Sequence, residues 1–382
     1  MVPEARHPNS PLPDSPLAEY LKRRIAVEGP LSVASFMGEA LGHPKFGYYI
    51  TADRFGAAGD FITAPEISQM FGELIGLWCA HAWTAMGSPD RVNLVELGPG
   101  RGTLMRDALR AAAMLPPFRE ALRVHLVETS PFLRRRQGDA LAPALQGGEP
   151  VWHDSFATVP HGPLLVIANE FFDALPIRQF VKTLHGWTER LVDVDPDGGG
   201  FRIVLDRRLG PVEALIPARV RISPVGSVFE ICPAATAIAR ELGGRLAASG
   251  GAAVIVDYGH PRSAAGETLQ AVRRHAFVPV LDNPGEADLT AHVDFEMLAD
   301  AAKAGGAGAW GPASQGEFLM SLGIRERAAM LRRRATPEQT ADIDRAVQRL
   351  IGETEMGTLF KVLALTGPGQ DVPVGFEPAH RP

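Results

Sequence analysis

The sequence predicts an α/β fold built on a parallel sheet covered by helices on both faces, and three observations lead there. Short uninterrupted apolar runs alternate with helical segments between residues 92 and 176 and again after 223, the pattern of strands buried on both sides. The first run, "VNLVEL" at Val92–Leu97, feeds a turn with Gly98, Gly100 and Gly102 and then a helix. Strand, glycine-rich turn and helix bring backbone close to a ligand. Successive runs also end in acids or amides: Glu96, Glu128, Asp154 and Asn169-Glu170. These lie on the strand edge where open α/β sheets bind ligands.

The elements follow in order. Residues 1–15 are a proline-rich tail, and 16–90 read as an N-terminal helical and lid region. Leu17, Tyr20, Leu21 and Ile25 recur at helical spacing, and Leu31 to Leu41 repeats it. Thr63-Ala64-Pro65-Glu66 reads as a capping box with an early proline. It opens a long helix, 64–86, whose stripe is Ile67, Met70, Phe71, Leu74, Ile75 and Trp78. That stripe suits internal packing or a homodimer contact.

The core spans 91–176 and 223–382. Its strands are Val92–Leu97, Val124–Val127, the stretch "PVWHDSF" and Leu164–Ala168, with a helix at Thr103–Met114 stopped by Pro116-Pro117. Residues 177–222 interrupt it: "FVKTLHGWTERLVDVD", a turn at Asp197–Gly200 and "FRIVLD" read as an antiparallel insertion. A helix near Ala234–Ala248, the strand "AAVIVDYG", further helices and "GTLFKVLALT", taken as an edge strand, complete the chain.

Composition narrows the function classes. The chain has 382 residues, 46% of them hydrophobic, which is ample for a core. Its 40 glycines and 32 prolines make it loop-rich without reaching low-complexity composition. Net charge is −6, and the only basic blocks, Arg134–Arg136 and Arg332–Arg334, read as solvated helix faces, so nucleic acid is not an expected partner. Two cysteines, Cys79 and Cys232, lack metal-ligand spacing, so no metal is expected and a reducing compartment fits. The first residues form no apolar signal core, and no run approaches the ~18 apolar residues of a membrane span. The expectation is a cytoplasmic protein without membrane insertion.

The glycine spacing selects among cofactors. Gly98, Gly100 and Gly102 form GxGxG, not the GxGxxG of dinucleotide sites. Glu96, two residues before the first glycine, suits a cationic ligand better than a pyrophosphate. S-adenosylmethionine carries a sulfonium and an amino group and no phosphate. Glu128, ending the second strand, can accept both ribose hydroxyls, a role that nicotinamide cofactors would also use. Asp154 falls where an adenine amino group would lie, and Asn169 closes the fourth strand.

The segments "GDFITAPEISQMFGELIG", "VELGPGRGTL", "ANEFFDALPI", "DLTAHVDF" and "MGTLFKVL" together resemble the MidA-type S-adenosylmethionine-dependent methyltransferases, over roughly Leu17 to Leu365. The resemblance implies a class I, Rossmann-like fold with a seven-stranded sheet and an N-terminal helical extension. The family includes an assembly factor of respiratory complex I described as a protein arginine methyltransferase. It therefore also implies a protein substrate, a complex I subunit.

A guanidinium is a poor nucleophile, because its lone pairs are delocalised and it stays charged. Two carboxylates can hold it by paired hydrogen bonds. Glu170 and Asp173 in "NEFFDALP" are the candidate pair, with Phe171 and Phe172 excluding water. Asp173 reads equally as a helix cap, and the phenylalanines as core. Asn169 beside this aromatic pair also suits another nitrogen substrate. A small nitrogen or oxygen nucleophile therefore stays open, as does a non-catalytic, cofactor-binding assembly chaperone. Asp60, Thr63, Glu66, Ser68 and Gln69 are the polar groups of a segment expected to close over the cofactor, with Gly56 and Gly59 giving it freedom. Asp257, Tyr258 and His260 end the strand "AAVIVDYGH", with His260 the candidate general base. Asp294 reads as a helix cap.

Overall fold

The computed structural model describes residues 15–51, 63–145, 148–207 and 212–376. Its centre is a sheet of seven strands: β1 Val92–Leu97, β2 Leu122–Val127, β3 Val151–His153, β4 Leu164–Asn169, β5 Gly251–His260, β6 Gly308–Ser314 and β7 Phe360–Thr366. They lie in the order β6-β7-β5-β4-β1-β2-β3. Strands β1 to β5 are mutually parallel, and β7 runs antiparallel to both β5 and β6. Val293–Asp294 adds a short parallel pairing to the end of β5.

Alternation along the strands explains why the sheet is covered twice. Leu94, Leu165, Val254 and Val362 face one apolar cluster, with Phe71, Trp78, Met105 and Leu109 of helices Gln69–Ala85 and Thr103–Ala112. Their chain neighbours Val95, Val166, Ile255 and Leu363 face the other, with Leu242, Leu246 and Leu298 of helices Pro233–Ser249 and Phe295–Ala304. Period-two side-chain placement turns one continuous apolar run into two buried faces.

Four expectations are corrected. "GTLFKVLALT" is not at the edge: β7 lies between β5 and β6. The edge is β6, "GAWGPAS", whose ladder is irregular between Trp310 and Ala313. Proline cannot donate to a ladder and is tolerated at an edge, so this strand carried little apolar signal. The helix expected at 64–86 is split: Ala64–Ile67 is one turn, Ser68 is extended, and Gln69–Ala85 is the long helix. Thr63 makes no side-chain capping bond; the Ser68 hydroxyl accepts from Met70 N at 3.2 Å instead. The long helix packs internally, so close to Thr103–Ala112 that a Cβ on Gly76 would stand 2.6 Å from Ala108 O. The antiparallel insertion also differs. Its sheet runs on to Val228–Ile231 and recruits Leu31–Ser32, in the order Leu31–Ser32, Gly186–Val194, Arg178–Thr183, Val228–Ile231, with Phe201–Leu205 on Gly186–Val194.

A further three-stranded sheet (Gln270–Arg273, Ala276–Val278, Asp288–Thr290) was not foreseen. Both accessory sheets share an apolar cluster with helices Pro16–Glu28 and Val33–Gly42, through Leu17, Leu21, Phe36, Met37, Val192 and Leu289. Among the described residues no helix is long and apolar enough to cross a membrane.

Candidate active site

Register brings the strand ends to one edge. Leu97 pairs with Val127 and with Ala168, and Val127 pairs with His153. Glu128, Asp154 and Asn169 follow at the next positions, and Asn169 pairs with Val256. The glycine loop departs from the same edge. Gly98, Gly100 and Gly102 have φ of +63°, +51° and +79°, where a Cβ costs about 1–2 kcal/mol. A Cβ on Gly98 would stand 2.8 Å from Cδ2 of Phe171.

A cleft opens between this loop, β4 and the turn Ala64–Ile67, lined among others by Glu96, Gly98, Gly100, Asn169 and Glu170. Glu96 is 3% exposed, and Met105 N–H donates to its carboxylate. Burial pushes its acid up to about 8. Its Oε2 and the Asn169 Oδ1 are buried acceptors with no hydrogen-bond partner. Buried polar groups are ordinarily paired. Two unpaired acceptors in one cleft therefore fit a ligand that brings donors, such as the amino group of S-adenosylmethionine. Glu128 is held ready: Oε1 accepts from Ser130 N at 2.8 Å and Oε2 from Gln137 Nε2 at 3.2 Å. The same Gln137 nitrogen donates to Gly100 O at 2.8 Å, so one amide ties the glycine loop to the second strand end. Desolvation raises the Glu128 acid.

Asp154 does not line the cleft; its side chain is exposed and paired with Arg134 at 2.5 Å. Arg134 also donates to the Glu128 carbonyl at 2.8 Å, so it is not merely part of a solvated face.

The turn Ala64–Ile67 straps this cleft. Its Ala64 N–H donates to Glu170 Oε1 at 2.9 Å, and its Glu66 Oε1 accepts from Thr103 Oγ1 at 2.6 Å. Glu66 thus bridges to the helix after the glycine loop and does not complete a capping box. Thr63 lines the cleft. Gln69 is exposed and takes no part in that lining. Asp60, Gly56 and Gly59 lie outside the described residues.

On the far side, Glu170 adopts φ +50°, a left-handed conformation rare outside glycine and enriched at functional sites. Its carboxyl lies near 7, raised mainly by burial and further by Asp173. Asp173 is also pushed up to about 7 by burial, and the Tyr258 hydroxyl hydrogen-bonds to it. It belongs to a turn and caps no helix. Asp257, expected as a base or substrate contact, is fully buried. Its Oδ2 accepts from Phe172 N at 2.9 Å and Asp173 N at 3.2 Å, and its Oδ1 from Tyr258 N at 2.9 Å. It is a positioning residue that shapes the "NEFFD" turn. Tyr258 is likewise buried, its oxygen accepting from Gln270 Nε2 at 3.2 Å.

Phe171 lies against the glycine loop, whereas Phe172 lines a different cavity. His260 stands four positions beyond the residue level with Asn169 and lines that second cavity, not the cleft. The structure therefore does not bring it to the cofactor side as a general base. Asp294 caps a helix as expected, its Oδ1 accepting from Met297 N at 3.0 Å. Sequence reasoning missed Gln137, Thr103 and Arg134, whose roles rest on contacts 6 to 37 residues away. Among the described residues no three His, Cys, Asp or Glu side chains cluster as a metal site.

A family model of S-adenosyl-L-methionine-dependent methyltransferases matches residues 74–313. The chain belongs to this methyltransferase family. It is 38% identical over 369 residues to protein arginine methyltransferase NDUFAF7, mitochondrial, of Danio rerio, covering 91% of this chain and 86% of that protein. The mouse protein of the same name is 40% identical, covering 92% and 84%. A Burkholderia thailandensis protein solved bound to S-adenosyl-homocysteine superposes with a TM-score of 0.82 at 31% identity, covering 96% and 97%. The methyltransferase uses S-adenosylmethionine, and its strand order and glycine loop are those of class I enzymes.

A consequence for stability follows from Glu96. In the folded chain it holds its proton up to about pH 8, whereas an unfolded glutamate releases it near 4.5. The folded state binds more protons between those values, so stability falls as pH rises across that window. Glu96→Gln is expected to raise the melting temperature at about pH 8 by several degrees and to change it little at about pH 5. At and above about pH 8, where wild-type Glu96 can meet the cofactor's ammonium as a carboxylate, affinity for S-adenosylmethionine should fall at least about tenfold. Thermal melts at the two pH values, with calorimetric titration of the cofactor, check both halves.

Proposed function

We propose that this methyltransferase modifies arginine side chains of a protein, on a subunit of respiratory complex I, and so aids assembly of that complex. The observation that carries the reading is Glu170, a strained, half-buried carboxylate in the cofactor cleft, backed by Asp173 and Asp257. The relatives' name, protein arginine methyltransferase, supports the residue type. The resemblance seen in the sequence supports the complex I subunit.

S-adenosylmethionine, when bound, supplies an electrophilic methyl carbon on sulfur. The chain's residues do the rest. Glu96 and Asn169 present acceptors to the cofactor's amino end, and Glu128 to its ribose. Glu170 accepts N–H hydrogens of the guanidinium and draws electron density onto one nitrogen. That nitrogen forms the new N–C bond as the C–S bond breaks, leaving neutral S-adenosylhomocysteine. The methylated guanidinium retains one positive charge and sheds one proton, which the Glu170 carboxylate near 7 can take up. Phe171 against Gly98 keeps water from the methyl group. Asp257 does not touch substrate; it fixes the turn on which Glu170 and Asp173 stand.

A pH dependence follows. Glu170 must be ionised to pair with a cation, and its acid is raised from 4.5 to about 7. The single-turnover rate is expected to rise about tenfold per pH unit below 7 and to level off above it. A flat profile between about pH 5.5 and 8 would remove Glu170 from that role. The substrate assignment is tested by incubating the protein with S-adenosylmethionine and purified complex I subunits, then mapping methylated residues by tandem mass spectrometry. Methyl-arginine formed by wild type and not by Glu170→Gln is the expected result. Methylation confined to another residue type or to small amines overturns it.

A further inference from the structure

Phe172 helps line a second cavity of about 180 Å³. It shares no lining residue with the cofactor cleft. Its walls are apolar: Phe172, Ile177 at the entry to the accessory sheet, and Val293, Met297 and Leu298 around the capped helix. Its polar lining includes Glu230, His260, His292 and Asp294. The size is below the ~300–1,000 Å³ of sites for drug-sized ligands, and suits a single side chain.

This polar lining is not self-sufficient. Glu230 is saturated: it accepts from Gln179 Nε2 at 2.7 Å, from Thr268 N at 3.1 Å, from the Thr268 hydroxyl and from Leu269 N at 3.2 Å. Asp294 is not. Its Oδ1 caps the helix, but its Oδ2 is buried with no hydrogen bond; His260 Nε2, 3.7 Å away, is within ion-pair reach when the imidazole is protonated but beyond hydrogen-bonding distance. A carboxylate oxygen without a hydrogen bond, in the lining of a mostly apolar cavity, matches a long side chain with an aliphatic stem and a cationic head. Location narrows the source. Glu170, in the cofactor cleft, and Phe172, in the cavity wall, are two residues apart, at most about 7 Å of chain. An extended substrate with its target nitrogen at Glu170 would reach the cavity with a residue two or three positions away.

We propose that this cavity is a recognition subsite for a second cationic side chain, arginine or lysine, flanking the methylated residue of the protein substrate, with Asp294 accepting its charged head. The inference rests on the arginine reading of the cleft for its partner class. It assigns the accessory sheet a function: Glu230 of its strand Val228–Ile231, with Ile177 and Cys232 at the ends of its strands, forms one wall of substrate recognition.

The test is calorimetric titration of the full chain, saturated with S-adenosylhomocysteine, with N-acetyl-arginine methylamide, its lysine counterpart and the neutral citrulline isostere. Wild type is compared with Asp294→Asn, which keeps the helix cap because asparagine caps as well as aspartate. Glu170→Gln and Met297→Trp, the latter filling the cavity, are measured beside it. Two arginine sites are expected in wild type. One should weaken at least tenfold in Asp294→Asn and Met297→Trp alike; the other should weaken only in Glu170→Gln. Citrulline should fill neither. Binding that ignores both cavity variants, equal binding of citrulline, or no probe binding overturns the subsite. Loss in Asp294→Asn with no change in Glu170→Gln keeps the subsite and removes the arginine reading of the cleft.

Discussion

Gly98→Val is expected to lower affinity for S-adenosylmethionine at least about a hundredfold, equivalent to roughly 2.7 kcal/mol, in a chain that still folds. The position combines two constraints. Its φ of +63° is one that a β-branched residue adopts only with strain. Its new Cβ would meet the Phe171 ring at 2.8 Å. That ring already packs edge-on against Phe172 at 5.2 Å, which restricts how far it can yield. Either the loop moves or the ring does, and both displace the geometry between Glu96 Oε2 and Asn169 Oδ1. The fold should survive, because the strands on either side of the loop are buried along their length. Calorimetric titration with cofactor, beside a circular dichroism spectrum, reads both quantities. Gly100→Val, at φ +51°, is expected to act in the same direction. Affinity within about threefold of wild type for both variants would show that no ligand approaches this backbone.

Glu170→Gln is expected to lower kcat by about 10²–10⁴ while leaving the cofactor dissociation constant nearly unchanged. The substitution is isosteric. A glutamine oxygen can still accept from Ala64 N, so the strap across the cleft persists. Only the negative charge and the proton acceptor are lost. Both are needed in the transition state, when a guanidinium gives up resonance to form a bond and then loses a proton. Single-turnover kinetics at saturating arginine substrate separates the loss of rate from the weaker arginine binding that removal of the charge also brings. Methyl transfer within about threefold of wild type would mean that the carboxylate is a structural strap and not part of the chemistry.

The two predictions differ in how far they could be drawn from the chain alone. Gly98, Gly100 and Gly102 are contiguous with the strand that presents them, so the positive-φ turn they form was readable from a short segment. So was the placement of Glu128 and Asn169, because equal-length parallel strands bring their ends to one edge. Glu170 was readable as an acid at the end of the fourth strand, but not as a residue at positive φ hydrogen-bonded to Ala64, 106 positions earlier. Glu66 shows the same limit. Its spacing from Thr63 matches a local cap, yet Thr103, 37 residues on, holds it.

By itself, then, the sequence determined what local periodicity and chain continuity can specify: a parallel sheet faced by two layers, a glycine turn at its cofactor edge, and acids at the ends of its strands. Tertiary structure decided everything that depends on segments meeting across long separations. It set β7 inside the sheet and β6 at its edge, and it turned Asp257 from a substrate contact into the anchor of the "NEFFD" turn. It moved His260 out of the cofactor cleft and set it beside Asp294 in a cavity walled by the accessory sheet. The physical reason is common to all of these. A side chain's backbone conformation is biased by its neighbours in sequence, but its hydrogen-bond partners and its desolvation are supplied by whichever strands and turns the fold packs around it.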